Sequence, residues 1–256
     1  MDIFQAVLLG VLQGITEWLP VSSSGHLAVV QHLFGLEVPV LVDIMLHLGT
    51  VLAVIAVFRR DILDILKAFF RADFRSENGR LALLIIAALV PTAAIGFAFK
   101  NIFEAFFYNM MAIGTGFLIT GCFLFVCERW PRKKSAGLKE ALLIGTAQGI
   151  AIAPGISRSG ATIGIGLLAG VDKEKAARFS FILSVPAIIG AALFDFNGIE
   201  LASADVLNVF AGVAAAALVG VFAIKFLLGV IRQQRFRWFA VYCWIMGAAV
   251  LLMAAA

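Results

Sequence analysis

Residues 10–25 read G-V-L-Q-G-I-T-E-W-L-P-V-S-S-S-G, and residues 145–160 read G-T-A-Q-G-I-A-I-A-P-G-I-S-R-S-G. At a constant offset of 135, seven of the sixteen positions are identical: Gly10/Gly145, Gln13/Gln148, Gly14/Gly149, Ile15/Ile150, Ser22/Ser157, Ser24/Ser159 and Gly25/Gly160. Pro20 and Pro154 match one residue out of register. The repeat divides a chain of 256 residues into two near-equal halves. Where the copies differ, they differ in polar chemistry. The first adds Glu17, Ser23 and His26; the second adds Arg158 and Thr162. One scaffold carrying complementary groups points to a single composite site.

Working outward, the chain is 62% hydrophobic and 14% charged, with a mean hydropathy of +1.02. That composition lies outside the range of soluble domains and makes this an integral membrane protein. The net charge of +4 is no nucleic-acid signal, because the basic residues sit in loops between apolar runs. Asp2 stands where a signal peptide would carry a basic residue, so no cleaved leader is expected. Cys122, Cys127 and Cys243 lie inside apolar segments without ligand-like spacing and read as buried free thiols.

A spanning helix needs roughly 20 apolar residues. Six runs approach this: 40–58, 81–99, 107–127, 179–195, 206–230 and 238–256, the fourth short enough to need its flanks. The two motif segments do not. Residues 3–19 and 138–153 are apolar, but each breaks at a Pro and a Ser/Gly-rich turn and resumes as a short helix, over 26–36 and 160–170. Helix, broken turn and short helix form the pattern of a re-entrant hairpin, 3–36 in the first half and 138–170 in the second. Non-helical backbone at membrane depth is tolerated only where protein buries it or it lines a wet cavity.

Charge orients the chain. Of the 20 Lys and Arg, 18 fall in 59–80, 129–139, 173–178 and 225–237, while the 195–205 loop holds Asp195, Glu200 and Asp205 and no base. Placing the four basic loops in the cytoplasm satisfies the positive-inside rule only if neither hairpin crosses. The expected fold is therefore an all-α polytopic membrane protein with an inverted-topology repeat. Six transmembrane helices accompany two re-entrant hairpins that meet near the bilayer midplane, with repeats at 1–135 and 136–256. Three crossings per half invert the second repeat. Both termini and the site's opening then face outward. Such architecture also serves transporters, so the site must decide function.

Gln13 and Glu17 are spaced i,i+4 and share a helix face. A carboxylate at such depth is costly and reads as functional by default; the plainer reading is an interfacial Glu. Ser22, Ser23 and Ser24 form the turn after Pro20, and His26 opens the next helix. At least one serine suffices as an N-cap, but three hydroxyls beside a Glu and a His also suit a serine nucleophile with a base. Arg158, on the turn P-G-I-S-R-S-G-A-T, needs an anionic partner at that depth. A structural ion pair with Glu17 is one answer. A phosphate is the other, favoured by Gly155, Ser157, Ser159, Gly160 and Thr162 and by the helix N-terminus that follows. Asp43 and His47, i,i+4 on the next helix, could support the site, Asp43 from its outer end. Ser180 and Ser184 read as packing residues. Lys100 and Glu104 read as an outer loop, and 61–75 as an amphipathic helix on the inner surface. The G-T-G run at 114–116 permits close helix contact and leaves a homodimer open.

Q-G-I-T-E-W-L-P-V-S-S-S-G-H and P-G-I-S-R-S-G-A-T resemble the two signature motifs of the undecaprenyl-pyrophosphate phosphatases of the bacitracin-resistance type, and the likeness extends over essentially the whole chain. It implies a bacterial inner-membrane enzyme that removes the terminal phosphate of a polyprenyl pyrophosphate and yields the lipid carrier for wall polymers. It assigns the nucleophile to Ser23, the histidine to His26, and the phosphate-binding residues to Ser157, Arg158 and Thr162, with Ser24 and Gln13 beside them. The family allows Glu or Gln at its first acidic position; this chain has Gln13, which leaves Glu17 as the motif's carboxylate. It also implies a divalent cation, magnesium or calcium, with Glu17 the candidate ligand and most coordination from substrate phosphates and water. Either His26 or Glu17 is the base, and either Ser23 or water attacks phosphorus. The competing class of function is a flippase or carrier of polyprenyl phosphate or a small anion. Against it, Ser23, His26 and Glu17 occur in one copy only.

Overall fold

The computed structural model describes residues 1–36, 38, 40–127, 134–195, 206–233 and 236–255. Within them lie twelve helices: α1 (Ile3–Thr16), α2 (Ser23–Leu33), α3 (Val40–Val57), α4 (Arg59–Phe70), α5 (Glu77–Ala98), α6 (Lys100–Phe107), α7 (Met110–Cys127), α8 (Leu138–Ile150), α9 (Arg158–Leu168), α10 (Lys173–Asp195), α11 (Val206–Arg232) and α12 (Arg237–Ala255). The β structure among the described residues is an isolated bridge between Lys134 and Val171.

Five helices (α5, α7, α10, α11 and α12) are long and apolar enough to cross a bilayer. A sixth span is reached when α3 and α4, which meet at an angle of 85°, are taken together as one bent pair. Leu218, Phe222 and Phe226 on α11 are 67%, 71% and 60% exposed, which suits a lipid-facing surface and would be costly in water. The protein is an all-α, multi-pass membrane protein. At the α3/α4 bend Arg178 of α10 pairs with Asp61 and ties α4 to the bundle.

The α1/α2 and α8/α9 pairs are too short to span singly. At 1.5 Å per residue the 14 residues of α1 cover about 21 Å, against a hydrocarbon core of roughly 30 Å. Their breaks have local causes. After Pro20 the chain turns through Ser22, held at φ +66°, and after Pro154 through Gly155 at φ +85°. Ser22 then caps α2 by accepting from the Gly25 N–H, and Ser157 caps α9 by accepting from the Gly160 N–H, at 3.3 and 3.1 Å. The repeated Ser and Gly are thus a cap and its donor.

The halves exchange partners. Hairpin helix α1 packs on α11 of the second half, and α8 packs on α5 of the first. The repeated glycines make both contacts. A Cβ on Gly10 would strike the Gly212 carbonyl, and one on Gly145 the Ala88 carbonyl. One turn later a Cβ on Gly14 would lie 2.8 Å from the Ala216 oxygen, and one on Gly149 2.8 Å from Ile95 Cβ. The repeated Gly spacing therefore reports close helix contact. Further, α7 packs on α12 and α3 on α10.

Several boundaries differ from the sequence reading. Both second hairpin helices begin early, at Ser23 and Arg158, because the caps are Ser22 and Ser157. The fourth crossing is 23 residues long, its first turns polar and thus outside an apolar window. The surface helix runs 59–70, and Lys100–Phe107 is a helix rather than a loop. Gly114 and Gly116 face Leu251 and Pro154 of the same chain, so that run serves internal packing. Of the expected loops 129–139 and 195–205, residues 129–133 and 196–205 lie outside the described residues.

Candidate active site

The two broken turns pack tip to tip. A Cβ on Gly25 would lie 3.1 Å from Gly155 Cα, and one on Gly160 would lie 3.3 Å from Pro20 Cβ. Ser159 Oγ donates to the Leu19 carbonyl at 3.0 Å, crossing from the second turn to the first. Thr120 of α7 fixes the second turn from behind. Its hydroxyl donates to the Gly155 carbonyl at 3.0 Å and accepts from the Ser157 N–H at 3.1 Å.

Glu17 lies at the centre, 6% exposed. It continues α1 by one residue, its N–H donating to the Gln13 carbonyl at 2.9 Å, so the two side chains share a face. Gln13 Nε2 donates to Glu17 Oε2 at 3.0 Å. Ser23 Oγ donates to the same oxygen. Arg158 Nη2 donates to Oε1 and closes an ion pair between the hairpins. His47 Nε2 stands 3.5 Å from Oε2. The carboxylate thus gathers a hydroxyl, an amide, an imidazole and a guanidinium from four segments.

Arg158 is the first residue of α9, and its guanidinium lies 5.4 Å from the centre of the Trp18 ring. Its Nη1 is buried and has no hydrogen-bond partner, as is Gln13 Oε1. An unsatisfied guanidinium donor inside a membrane protein is costly. Placed beside a serine hydroxyl at the start of two helices, it is a ready donor to an anion.

The other expected site residues separate. Thr162 is fully buried, and its hydroxyl donates back to the Arg158 carbonyl at 2.8 Å and meets Ser180 Oγ at 2.5 Å. In this arrangement its hydroxyl braces the first turn of α9. Ser157 Oγ serves as the α9 cap and contacts Ser159 Oγ at 3.2 Å. Ser24 Oγ lies 3.4 Å from Ser22 Oγ. Asp43 accepts from Gln31 Nε2 at 2.9 Å, and its carbonyl lies 2.7 Å from His47 Nδ1, so it orients His47. His26 is placed next to Ser23 in sequence, yet its ring turns away: Nδ1 lies 2.7 Å from the Ser22 carbonyl and Nε2 2.6 Å from the Tyr242 hydroxyl. Sequence reading missed Tyr242, Thr120 and Trp18. Tyr242 and Thr120 are lone polar side chains in apolar runs that only the fold brings near the turns, whereas Trp18 stands inside the first motif, between Glu17 and Pro20.

Glu17, the expected metal ligand, has both oxygens occupied by protein donors. Among the described residues no three His, Cys, Asp or Glu side chains come together. This donor set does not fit a resident divalent cation, which wants six or more oxygens or several retained waters around carboxylates.

A family model described as Bacitracin resistance protein BacA matches residues 6–249. The chain is 46% identical over 266 residues to a protein of Carboxydothermus hydrogenoformans named undecaprenyl-diphosphatase, covering 100% of this chain and 99% of that one. It is 41% identical over 263 residues to a protein of the same name from Halothermothrix orenii, with 99% of each covered. A third of that name, from Syntrophotalea carbinolica, is 45% identical over 258 residues, with 96% of this chain and 97% of that one covered. With both broken turns and the Glu17 cluster inside the matched region, the chain belongs to the BacA family of bacitracin resistance proteins.

Proposed function

We propose that this protein is a membrane phosphatase that hydrolyses undecaprenyl pyrophosphate to undecaprenyl phosphate and inorganic phosphate, returning a lipid carrier to cell-wall synthesis. One observation carries the reading of the site. Glu17 accepts from the Ser23 hydroxyl on one oxygen and from Arg158 on the other, while Arg158 keeps a second, buried donor without a partner. A base, a nucleophile and an anion receptor thus share one carboxylate.

The chemistry follows from that sharing. The terminal phosphate enters between the turns and takes Arg158 as its partner, using the free Nη1 and competing with Glu17 for Nη2. Glu17, released from the ion pair, accepts the Ser23 proton as Oγ bonds to phosphorus. The bond from phosphorus to the bridging oxygen breaks, and undecaprenyl phosphate leaves as the anion. Arg158 and the N-terminal dipoles of α2 and α9 offset the charge of the transferring group, the main source of rate in phosphoryl transfer. Glu17 then loses its proton to solvent and deprotonates a water that attacks phosphorus. As the phosphorus–Oγ bond breaks, Glu17 delivers that proton to Ser23 Oγ, releasing inorganic phosphate and restoring the hydroxyl and the carboxylate. His26 is unsuited to the base role in this arrangement because both ring nitrogens are engaged. A divalent cation would arrive on the substrate's phosphates, and no step above depends on one.

The basic loops support an orientation in the bacterial inner membrane with both termini and the mouth of the site on the external face. The repeats are then inverted, each hairpin entering from its own side. A homodimer would have to use a face other than the 114–116 run.

Rapid quenching after mixing with substrate labelled in its terminal phosphate tests the covalent route. Label on Ser23 within one turnover supports it. Release without enzyme-bound label would move the attack to water and leave Ser23 a binding group.

A further inference from the structure

His26 has an environment that fixes its tautomer. The Ser22 carbonyl can only accept, so the proton lies on Nδ1, and the neutral ring presents Nε2 as an acceptor to the Tyr242 hydroxyl at 2.6 Å. The ring is 4% exposed, lies edge-on to Phe117 with centroids 5.0 Å apart, and is parallel to the Tyr242 ring within 6°. What His26 grips is unusual. The Ser22 carbonyl belongs to a non-glycine residue at φ +66° and ψ +95°, a conformation that costs energy and persists where its surroundings impose it. That carbonyl also accepts the His26 backbone N–H at 3.2 Å. The peptide it belongs to leads directly into Ser23.

We propose that Tyr242 is a positioning residue for this reaction. By donating to His26 Nε2 it holds the ring on the Ser22 carbonyl, and so holds Ser23 Oγ against Glu17 and in line with the phosphate. The chain of contacts runs Tyr242, His26, Ser22, Ser23, and it ties α12 to a residue of α2, 216 positions earlier, and through it to the first turn. Tyr242 itself touches no reacting atom. The inference rests on the phosphatase reading given above, since positioning has meaning only for a nucleophilic Ser23.

The test is phosphate release from farnesyl pyrophosphate by the purified full-length protein in detergent, for the wild type, Tyr242→Phe, His26→Ala and the double variant. Phe keeps the ring and removes only the hydroxyl that bonds His26. The expected result is a fall in kcat of about tenfold, the equivalent of one hydrogen bond at the transition state. KM and thermal midpoint stay unchanged, and Tyr242→Phe adds no further loss in the His26→Ala background. Histidine 15N NMR gives an independent readout. The wild type should show the Nδ1–H tautomer with a hydrogen-bonded Nε2, and Tyr242→Phe should lose that bond. An unchanged kcat, an equal tenfold loss in both backgrounds, or an Nε2–H tautomer in the wild type would each overturn the proposal. An inert wild type would sink the phosphatase reading itself, whereas an active wild type indifferent to Tyr242→Phe sinks only this one.

Discussion

Ser23 and Arg158 occupy the same position in the two repeats, 135 residues apart, and both bind the same carboxylate. Each is the first residue of the helix that follows a broken turn. The repeat thus delivers two helix N-termini to one point, one bearing a hydroxyl and the other a guanidinium, with Glu17 between them. Helix N-termini favour anions. The duplication supplies the geometry, and divergence at one equivalent position supplies the chemistry.

If Glu17 is the base, Glu17→Gln keeps the shape and the hydrogen bond to Arg158 but removes the proton acceptor. Activity should fall by at least about a hundredfold, the usual scale for loss of a general base. The fall should appear in kcat more than in KM. A Gln variant within a few-fold of wild type would transfer the role to another group.

Arg158→Lys tests whether the fork matters or only the charge. Lys cannot hold Glu17 and a phosphate with separate, fixed nitrogens. We expect KM for a prenyl pyrophosphate to rise and kcat/KM to fall by about 10²-fold, or roughly 3 kcal/mol of transition-state binding. A fully active Lys variant would reduce Arg158 to a counter-charge for Glu17.

Gly10→Leu and Gly145→Leu place a side chain against the backbone of α11 and α5 respectively. Both contacts are buried, and overpacking costs typically 1–3 kcal/mol or more. The two variants should lower the thermal midpoint in detergent by similar amounts. Stability retained in one but not the other would show that the exchanged packing is unequal.

A cation requirement, if present, should belong to the enzyme–substrate complex. Titration of magnesium or calcium into substrate-free protein should give no binding, because Glu17 already accepts from Ser23, Gln13 and Arg158. Chelator should then inhibit turnover without shifting the thermal midpoint of the free protein. Tight stoichiometric binding by the free protein would refute this.

The chain's class and its hairpins were legible because two signals agreed: the apolar runs 3–19 and 138–153, each broken at a proline, and a charge pattern that left those runs out of the expected crossings. The Gln13–Glu17 pairing was legible as well, since i,i+4 spacing fixes a shared helix face. What was not legible depended on rotamers and distant helices. Sequence proximity suggested His26 as the partner of Ser23, but its side chain takes the Ser22 carbonyl and the hydroxyl of Tyr242. Thr162 lies one turn from Arg158, yet a buried threonine bonds back to its own helix and to Ser180. Helix starts moved because the first hydroxyl-bearing position of each turn, Ser22 or Ser157, is the cap.

The central claim is that one hydrolytic site is assembled from both hairpins. The direct measurement is phosphate release from undecaprenyl pyrophosphate by purified protein, with Ser23→Ala and Arg158→Ala beside the wild type and folding checked by thermal midpoint. Release by the wild type, lost in both folded variants, is the predicted result. Release that survives either substitution at undiminished rate, or a folded wild type that releases none with divalent cation supplied, would contradict it.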